Sequence, residues 1–176
     1  MSTTSDQITG TYTLDKIHST AGVAVKHMVV STFRGRFEDF DATLTDGRFE
    51  GTVRVDSIEL KDENLTAHVK SPDFFDSARF PEIRFVSTGF DRSGDDVVLR
   101  GELTIKDQTH PVEARGTISG PHEDIAGNEK IGLSLETVVD RTKFGLNWNA
   151  PLPRGGFALA NDVKLTVDLE LARAEG

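Results

Sequence analysis

Five histidines have the widest chemical scope in this sequence, because imidazole can serve as acid, base or metal ligand near neutral pH. Their spacing excludes the H-x-x-x-H and H-E-x-x-H metal motifs. His27 stands out, because it ends the apolar strand face of Ala21, Val23 and Val25. Two interpretations stay open: a strand-end histidine with its hydrogen bonds satisfied, or a polar anchor for a ligand head group at the end of a cavity.

Carboxylates occur in pairs, as in Glu38-Asp39 and Glu123-Asp124, but each pair falls in a predicted turn or at a strand end. Acid–base catalysis by such a pair requires burial, which these positions do not indicate. Ser134 lies in GLSLE, which lacks the closing glycine of G-x-S-x-G, and no glycine-rich phosphate-binding loop is present. The sequence therefore predicts no catalytic residues and no metal site.

The charge balance limits the partners of the chain. The 29 acidic and 20 basic residues give a net charge of −9, which disfavours nucleic acids and anionic membrane surfaces. Cysteine is absent, so disulfides and thiolate chemistry are excluded. The first ten residues are polar and contain no apolar run, so we expect no secretion signal and a cytoplasmic protein.

Alternation of apolar and polar residues with a period of two dominates the chain. Val97, Leu99, Leu103 and Ile105 share one parity, with Arg100 and Glu102 on the other. Similar runs recur between turn signals such as DRSGDD and KDQTHP. The pattern predicts an all-β fold, a single antiparallel barrel of eight or nine strands.

One stretch breaks the period, from Asp62 to Glu82. Asp62 or Asn64 is expected to cap a short helix over 65–70, and Pro72 makes Ser71 the expected stop. This helix is expected to lie at one end of the barrel. Phe74 and Phe75 follow it, and we expect one ring to face the barrel interior and the other to pin the helix to the outer wall.

Phenylalanine is unusually frequent, with eleven residues against one Trp and one Tyr. Phe lacks the polar group of the other two, so it suits a dry interior. Such an interior is either a filled core or an apolar cavity. At about 0.3 kcal/mol per heavy atom, a chain of roughly forty carbons would gain about 12 kcal/mol, a nanomolar affinity.

Six blocks follow one another along the chain from about residue 10 to 172: YTLDKIHSTAGVAVKHM, FRGRFEDFDATL, HVKSPDFFDSARFPEIRFVST, GELTIKDQTHPV, DRTKFGLNW and ANDVKLTVDLEL. Together these blocks resemble the YceI-like family, which is described as polyisoprenoid-binding proteins with a lipocalin-like barrel. We accordingly expect a barrel domain over 10–172 with a flexible N-terminal tail at 1–9 and a C-terminal tail at 173–176. Val23 stands where the resemblance leads us to expect Phe, which would alter the shape of the cavity.

The resemblance implies a long prenyl chain, or a quinone carrying one, inside the barrel. By position, the ligand-binding wall would consist of Val23, Val25, Phe33, Phe37, Phe40, Val53, Val55, Phe85 and Leu103. Near the barrel ends it would include Phe74, Phe75, Phe144 and Trp148. His27 and Arg79 are our own candidates for head-group contacts.

The expected function is sequestration or transport of this apolar molecule, without a metal or redox cofactor unless the ligand is itself a quinone. Two alternatives stay open. One is an enzyme acting on a lipid head group, with His27 as acid or base and a carboxylate such as Asp140 nearby. The other is an interaction scaffold with a filled core. The sequence also leaves a homodimer open.

Overall fold

The predicted alternation is visible as alternating burial in the barrel strands. In the computed structural model, which describes residues 8–27, 31–153 and 158–174, the strand Asp96–Ile105 buries Val97, Leu99, Leu103 and Ile105. Between them, Arg100 and Glu102 are exposed. One face of each strand therefore builds the interior and the other meets solvent.

Eleven strand segments and one α-helix are described. The strands are β1 (Thr11–Leu14), β2 (Thr20–His27), β3 (Ser31–Phe37), β4 (Phe40–Thr45), β5 (Arg48–Arg54), β6 (Ile58–Glu59), β7 (Glu82–Ser93), β8 (Asp96–Ile105), β9 (Gln108–Glu123), β10 (Glu129–Asp140) and β11 (Leu159–Arg173). The helix α1 spans Glu63–Lys70, and short 3₁₀ helices span Lys16–His18, Val55–Ser57 and Arg141–Phe144.

These eleven segments form eight barrel strands, because the first three barrel strands are each broken in two. β1 and β2 both pair with β11 and together form the first barrel strand. β4 pairs with β1 and β3 pairs with β2, so β3 and β4 form the second. β5 and β6 continue the same arrangement beside β4 and β3. β7 to β11 follow as antiparallel neighbours, and the β1–β11 pairing closes the barrel. The predicted lipocalin-like barrel is confirmed.

The breaks lie side by side and bond to one another. Glu38 donates its backbone N–H to the carbonyl of Ser57 at 3.1 Å, and Arg54 donates to the carbonyl of Asp39 at 2.9 Å. The backbone groups freed where the ladders stop are thus satisfied between neighbouring breaks.

The end of the barrel near β1 is solidly packed. Tyr12, Leu44, Ile131 and Leu171 are at most 1% exposed, and strand register places them around the same end. Packing also extends beyond the expected boundaries of the domain: Ile8 is buried, and Ala174 donates its N–H to the carbonyl of Thr11. The expected N-terminal tail falls mostly outside the described residues.

The helix α1 lies in the connection between β6 and β7, where the sequence predicts it. The Asp62 carboxylate caps it by accepting a hydrogen bond from the Leu65 N–H at 3.0 Å. Its last residue is Lys70, and Ser71, the residue immediately before Pro72, is its C-cap. Among the described residues, no helix has the length and apolar character that a membrane crossing requires.

Gly101 shows how tightly β7 and β8 approach each other. A Cβ at this position would come within 3.0 Å of both the Val86 carbonyl oxygen and the Phe85 ring. We expect Gly101→Ala to lower the free energy of unfolding by about 1–3 kcal/mol, the usual cost of overpacking. Gly89→Ala is the control, because its nearest neighbour would be 3.9 Å away. Chemical denaturation of both variants measures the difference, and equal stabilities would contradict the prediction.

Candidate ligand-binding site

The barrel interior is not filled throughout. A cavity of about 280 Å³, called the larger cavity below, lies under α1 and the segment that follows β10. Its wall is formed by Val23, Val25, Phe33, Phe37, Ile58, Leu65, His68, Val69, Phe74, Phe75, Ile83, Ile105, Val139, Arg141, Leu146, Trp148, Ala158, Leu159, Val163 and Leu165. This wall is apolar except for the side chains of His68 and Arg141.

A second cavity of about 140 Å³, called the smaller cavity below, lies deeper in the barrel. Side chains that line it include Phe40, Phe49, Val53, Phe85 and Leu103. Phe37, Ile83 and Leu165 line both cavities. The two cavities are therefore neighbours, and these three side chains lie between them. The interior therefore contains two neighbouring apolar spaces.

An aromatic cluster covers the larger cavity on the side of α1. The Trp148 ring meets the His68 ring edge-on at 4.6 Å between centroids and lies 5.4 Å from Phe74. His68 is held by Asp73, whose carboxylate lies 2.9 Å from its Nε2 atom. The cluster joins α1 to the segment after β10, two parts of the chain that are distant in sequence.

Phe74 and Phe75 do not divide as expected, with one ring toward the interior and the other pinning the helix to the outer wall, although Phe74 does contact His68 of α1 edge-on at 5.1 Å. Both line the larger cavity, and Phe75 packs edge-on against Phe37 with 6.3 Å between centroids. The chain turns so sharply after α1 that it is neither strand nor helix: Asp76 has a φ of 51° and donates its N–H to the carbonyl of Ser71. This turn lets adjacent side chains point to the same space.

Arg141 and Asn149 organise the segment that carries Trp148. The Arg141 guanidinium donates hydrogen bonds to the backbone carbonyls of Leu146, Trp148 and Ala160 at 2.6–2.9 Å. Asn149 accepts from the N–H of Leu159 and donates to its carbonyl. Side chains at both ends of this segment, Arg141 and Asn149, thus bond it to the start of β11.

Most of the candidate site residues lie on the cavity walls. The candidates that line the larger cavity are Val23, Val25, Phe33, Phe37, Phe74, Phe75 and Trp148. Those that line the smaller cavity are Phe37, Phe40, Val53, Phe85 and Leu103. Their contact with a ligand stays a prediction.

Three candidates lie elsewhere. Val55 and Phe144 are 1% exposed and belong to the packed core without lining either cavity, and Phe144 packs edge-on against His110. Arg79 is on the surface, where it pairs with Asp76 at 3.5 Å and covers the Phe80 ring. The side chain of His27 lies outside the described residues.

The wall residues of the larger cavity that were not among the candidates include Val139, Leu146, His68 and Arg141. Val139 continues the buried face of β10, so the alternation of apolar and polar residues could have predicted that it faces the interior. Arg141 had no such signal, because an arginine directly after a strand is usually solvated.

The enzyme alternative gains little from Asp140. Its carboxylate accepts hydrogen bonds from the backbone and hydroxyl of Thr142, which lower the pKa of Asp140 and fix it as the cap of the last 3₁₀ helix. A carboxylate committed in this way supports local structure.

A polar cluster of Asp15, His18 and Glu170 has metal-ligand chemistry, but it lies outside both cavities. The Lys130 ammonium group lies 3.5 Å from Asp15 and 3.2 Å from Glu170. Because Lys130 and His18 already pair with both carboxylates, we assign the cluster to structure.

This cluster makes stability depend on pH. The hydrogen bond from His18 lowers the pKa of Asp15 to about 2 from 3.8, and Asp15 raises the pKa of His18 above 6.5. The contribution of Asp15 is therefore present above its unfolded pKa and lost as pH falls toward 2, whereas that of His18 is lost as pH rises through its folded pKa. We expect Asp15→Asn to flatten the fall in Tm on acidification, measured by thermal melts across the acidic range. Asp39→Asn, at a carboxylate 3.9 Å from Lys16, is the control, and an unchanged acid limb in Asp15→Asn would contradict the assignment.

Comparisons with known proteins agree with this architecture. The model of the YceI-like domain matches residues 12–171. A UPF0312 protein of Staphylococcus aureus (strain USA300) is 31% identical over 175 residues, covering 93% of this chain and 98% of the relative.

Solved structures share the fold. BcnA of Burkholderia cenocepacia superposes with a TM-score of 0.72 at 20% identity, covering 89% of this chain and 98% of BcnA. A polyisoprenoid-binding domain from Saccharophagus degradans, implicated in plant cell wall breakdown, gives a TM-score of 0.70 at 10% identity and covers 93% of this chain and 98% of that domain. The barrel, the match over nearly its whole length and the relative at 31% identity lead to one assignment. This chain belongs to the YceI-like family.

Proposed function

We propose that this protein binds a long-chain isoprenoid lipid, either a polyprenyl chain or a prenylated quinone, inside the barrel and thereby stores or carries it. The observation that carries the proposal is the pair of adjacent apolar cavities in a barrel that is otherwise densely packed. An apolar void of this size leaves wall side chains without contacts, which a hydrocarbon chain would supply. Its enclosure by strands would also keep the chain out of water.

The geometry suits binding without strong polar contacts. Small-molecule sites typically enclose roughly 300–1,000 Å³, and the larger cavity approaches the lower limit before the smaller one is added. At about 0.3 kcal/mol per heavy atom, a prenyl chain reaches useful affinity from apolar contact alone. The Saccharophagus degradans domain, described as polyisoprenoid-binding, supports the same class of ligand. Family and neighbour favour a binding protein over an enzyme.

Native lipid analysis tests the proposal. The protein is purified without detergent, extracted with organic solvent and analysed by mass spectrometry, beside an unrelated protein purified from the same host. We expect a prenyl lipid near one molecule per barrel in the first extract only. An extract without such a lipid, from a protein that also fails to take up added prenyl lipid, would count against the proposal.

A further inference from the structure

Arg141 is a buried cation in the wall of the larger cavity. Its side chain is 5% exposed, at the start of the 3₁₀ helix after β10. A guanidinium has five N–H donors. Nε bonds to Ala160, and Nη1 bonds to Leu146 and Trp148, but Nη2 has no hydrogen-bond partner in the described part of the chain. Two buried donors are therefore left over.

The guanidinium of Arg141 also has no direct ion-pair partner in the described part of the chain, although the Asp140 carboxylate attracts it from a greater distance. No carboxylate lies within 4.0 Å of its guanidinium among the residues that the structure describes. Asp140, its sequence neighbour, bonds to Thr142 instead. Burial lowers the pKa of Arg141, yet a guanidinium keeps its proton at neutral pH. A buried charge without a counter-ion in direct contact is unfavourable unless something supplies one.

Loop anchoring explains only part of this side chain. Two of the five donors hold the segment that carries Trp148 and a third bonds to Ala160 on β11, while Asn149 closes the same segment independently through Leu159. Neither task uses Nη2 or requires a full positive charge. The leftover donors and the charge belong to a residue that lines a cavity whose other wall side chains, apart from His68, are apolar.

We propose that Arg141 binds an anionic oxygen of the ligand, so that the ligand is an amphiphile whose carboxylate or phosphate head lies beside Trp148 in the larger cavity. The tail then runs past Phe37 toward the smaller cavity. This inference rests on the proposed function and adds the chemistry and the orientation of the head group. Carboxylate and phosphate share the required chemistry, because both accept charge-assisted hydrogen bonds from a guanidinium.

Probes with one tail and different heads test the inference. Farnesyl phosphate, farnesoic acid, farnesol and methyl farnesoate are titrated into the delipidated protein by calorimetry. We expect an anionic probe to bind at least about tenfold more tightly than the two neutral ones, as a charge-assisted contact requires. The phosphate and carboxylate arms show which head the site prefers. Arg141→Gln is expected to remove this preference while changing the affinity for methyl farnesoate by less than about threefold.

Lys143→Gln is the matched control, because it removes a positive charge on the same 3₁₀ helix from an exposed side chain that lines neither cavity. It should retain the anion preference. If Arg141→Gln weakens all four probes equally, Arg141 only positions the loop and the inference is wrong. If that variant melts before titration, the wild-type series decides alone: equal affinities for charged and neutral heads overturn the inference but leave the proposed function standing. Binding of none of the probes overturns the inference, and together with a native extract that contains no prenyl lipid it overturns the proposed function as well.

Discussion

Val139→Phe is expected to abolish lipid binding, whereas Val138→Phe leaves it intact. The two residues are neighbours on β10 with opposite orientations: Val139 is 7% exposed and lines the larger cavity, and Val138 is 57% exposed. A ring at position 139 would occupy the space that we assign to the ligand. Because this space is empty of protein, the cost in stability should stay within the roughly 1–3 kcal/mol of an overpacked core.

The measurement compares lipid recovered per barrel and the affinity for added prenyl lipid in both variants, with thermal melts to show that both fold. The same change in the same strand is made on the two faces, so a general effect of the added ring cancels. A Val139→Phe protein that still retains one lipid per barrel would place the ligand outside the larger cavity.

The barrel was predictable because alternation reports directly on which face is buried. Val97 to Ile105 on β8 shows this, with every inward position buried. The breaks in the first three strands were also present in the sequence as changes of phase. The inward residues of β3, which ends at Phe37, are odd-numbered, whereas those of β4, which begins at Phe40, are even-numbered. The inward residues change in the same way between Leu14 on β1 and Ala21 on β2. When the phase of alternation shifts by one residue, an uninterrupted strand would turn its apolar side chains to solvent. A break in the strand keeps these side chains facing inward.

The cavities were harder to predict because apolar residues of the same type fill a core or line a void. Phe144 and Phe74 are the same residue type and both follow a helix or strand closely, yet Phe144 packs in the filled core whereas Phe74 lines the larger cavity. The difference depends on whether opposite sides of the barrel meet, which depends on three-dimensional distances that local sequence does not encode. Arg141 was missed for a related reason, since its burial comes from the segment folded over it.

Phe37 lies at the point where the two cavities meet, and this makes it a candidate determinant of ligand length. It lines both cavities together with Ile83 and Leu165, and Phe75 contacts it edge-on. We expect Phe37→Ala to join the cavities and to shift the preference toward longer chains. One further isoprene unit adds five heavy atoms, or about 1.5 kcal/mol, which corresponds to a factor of about ten in affinity.

A series of prenyl alcohols of increasing length measures this shift as the length at which affinity stops rising. Phe49→Ala is the matched control, because Phe49 lines only the smaller cavity and its removal enlarges one space without joining the two. Removal of a buried Phe commonly costs about 3–5 kcal/mol, so Phe37→Leu serves as a milder variant if the alanine protein is unstable. A length limit that is identical in wild type and in both Phe37 variants would show that the ligand does not pass this residue. A shift in the Phe37 variants alone would show that one side chain sets how much of the barrel a single chain can occupy.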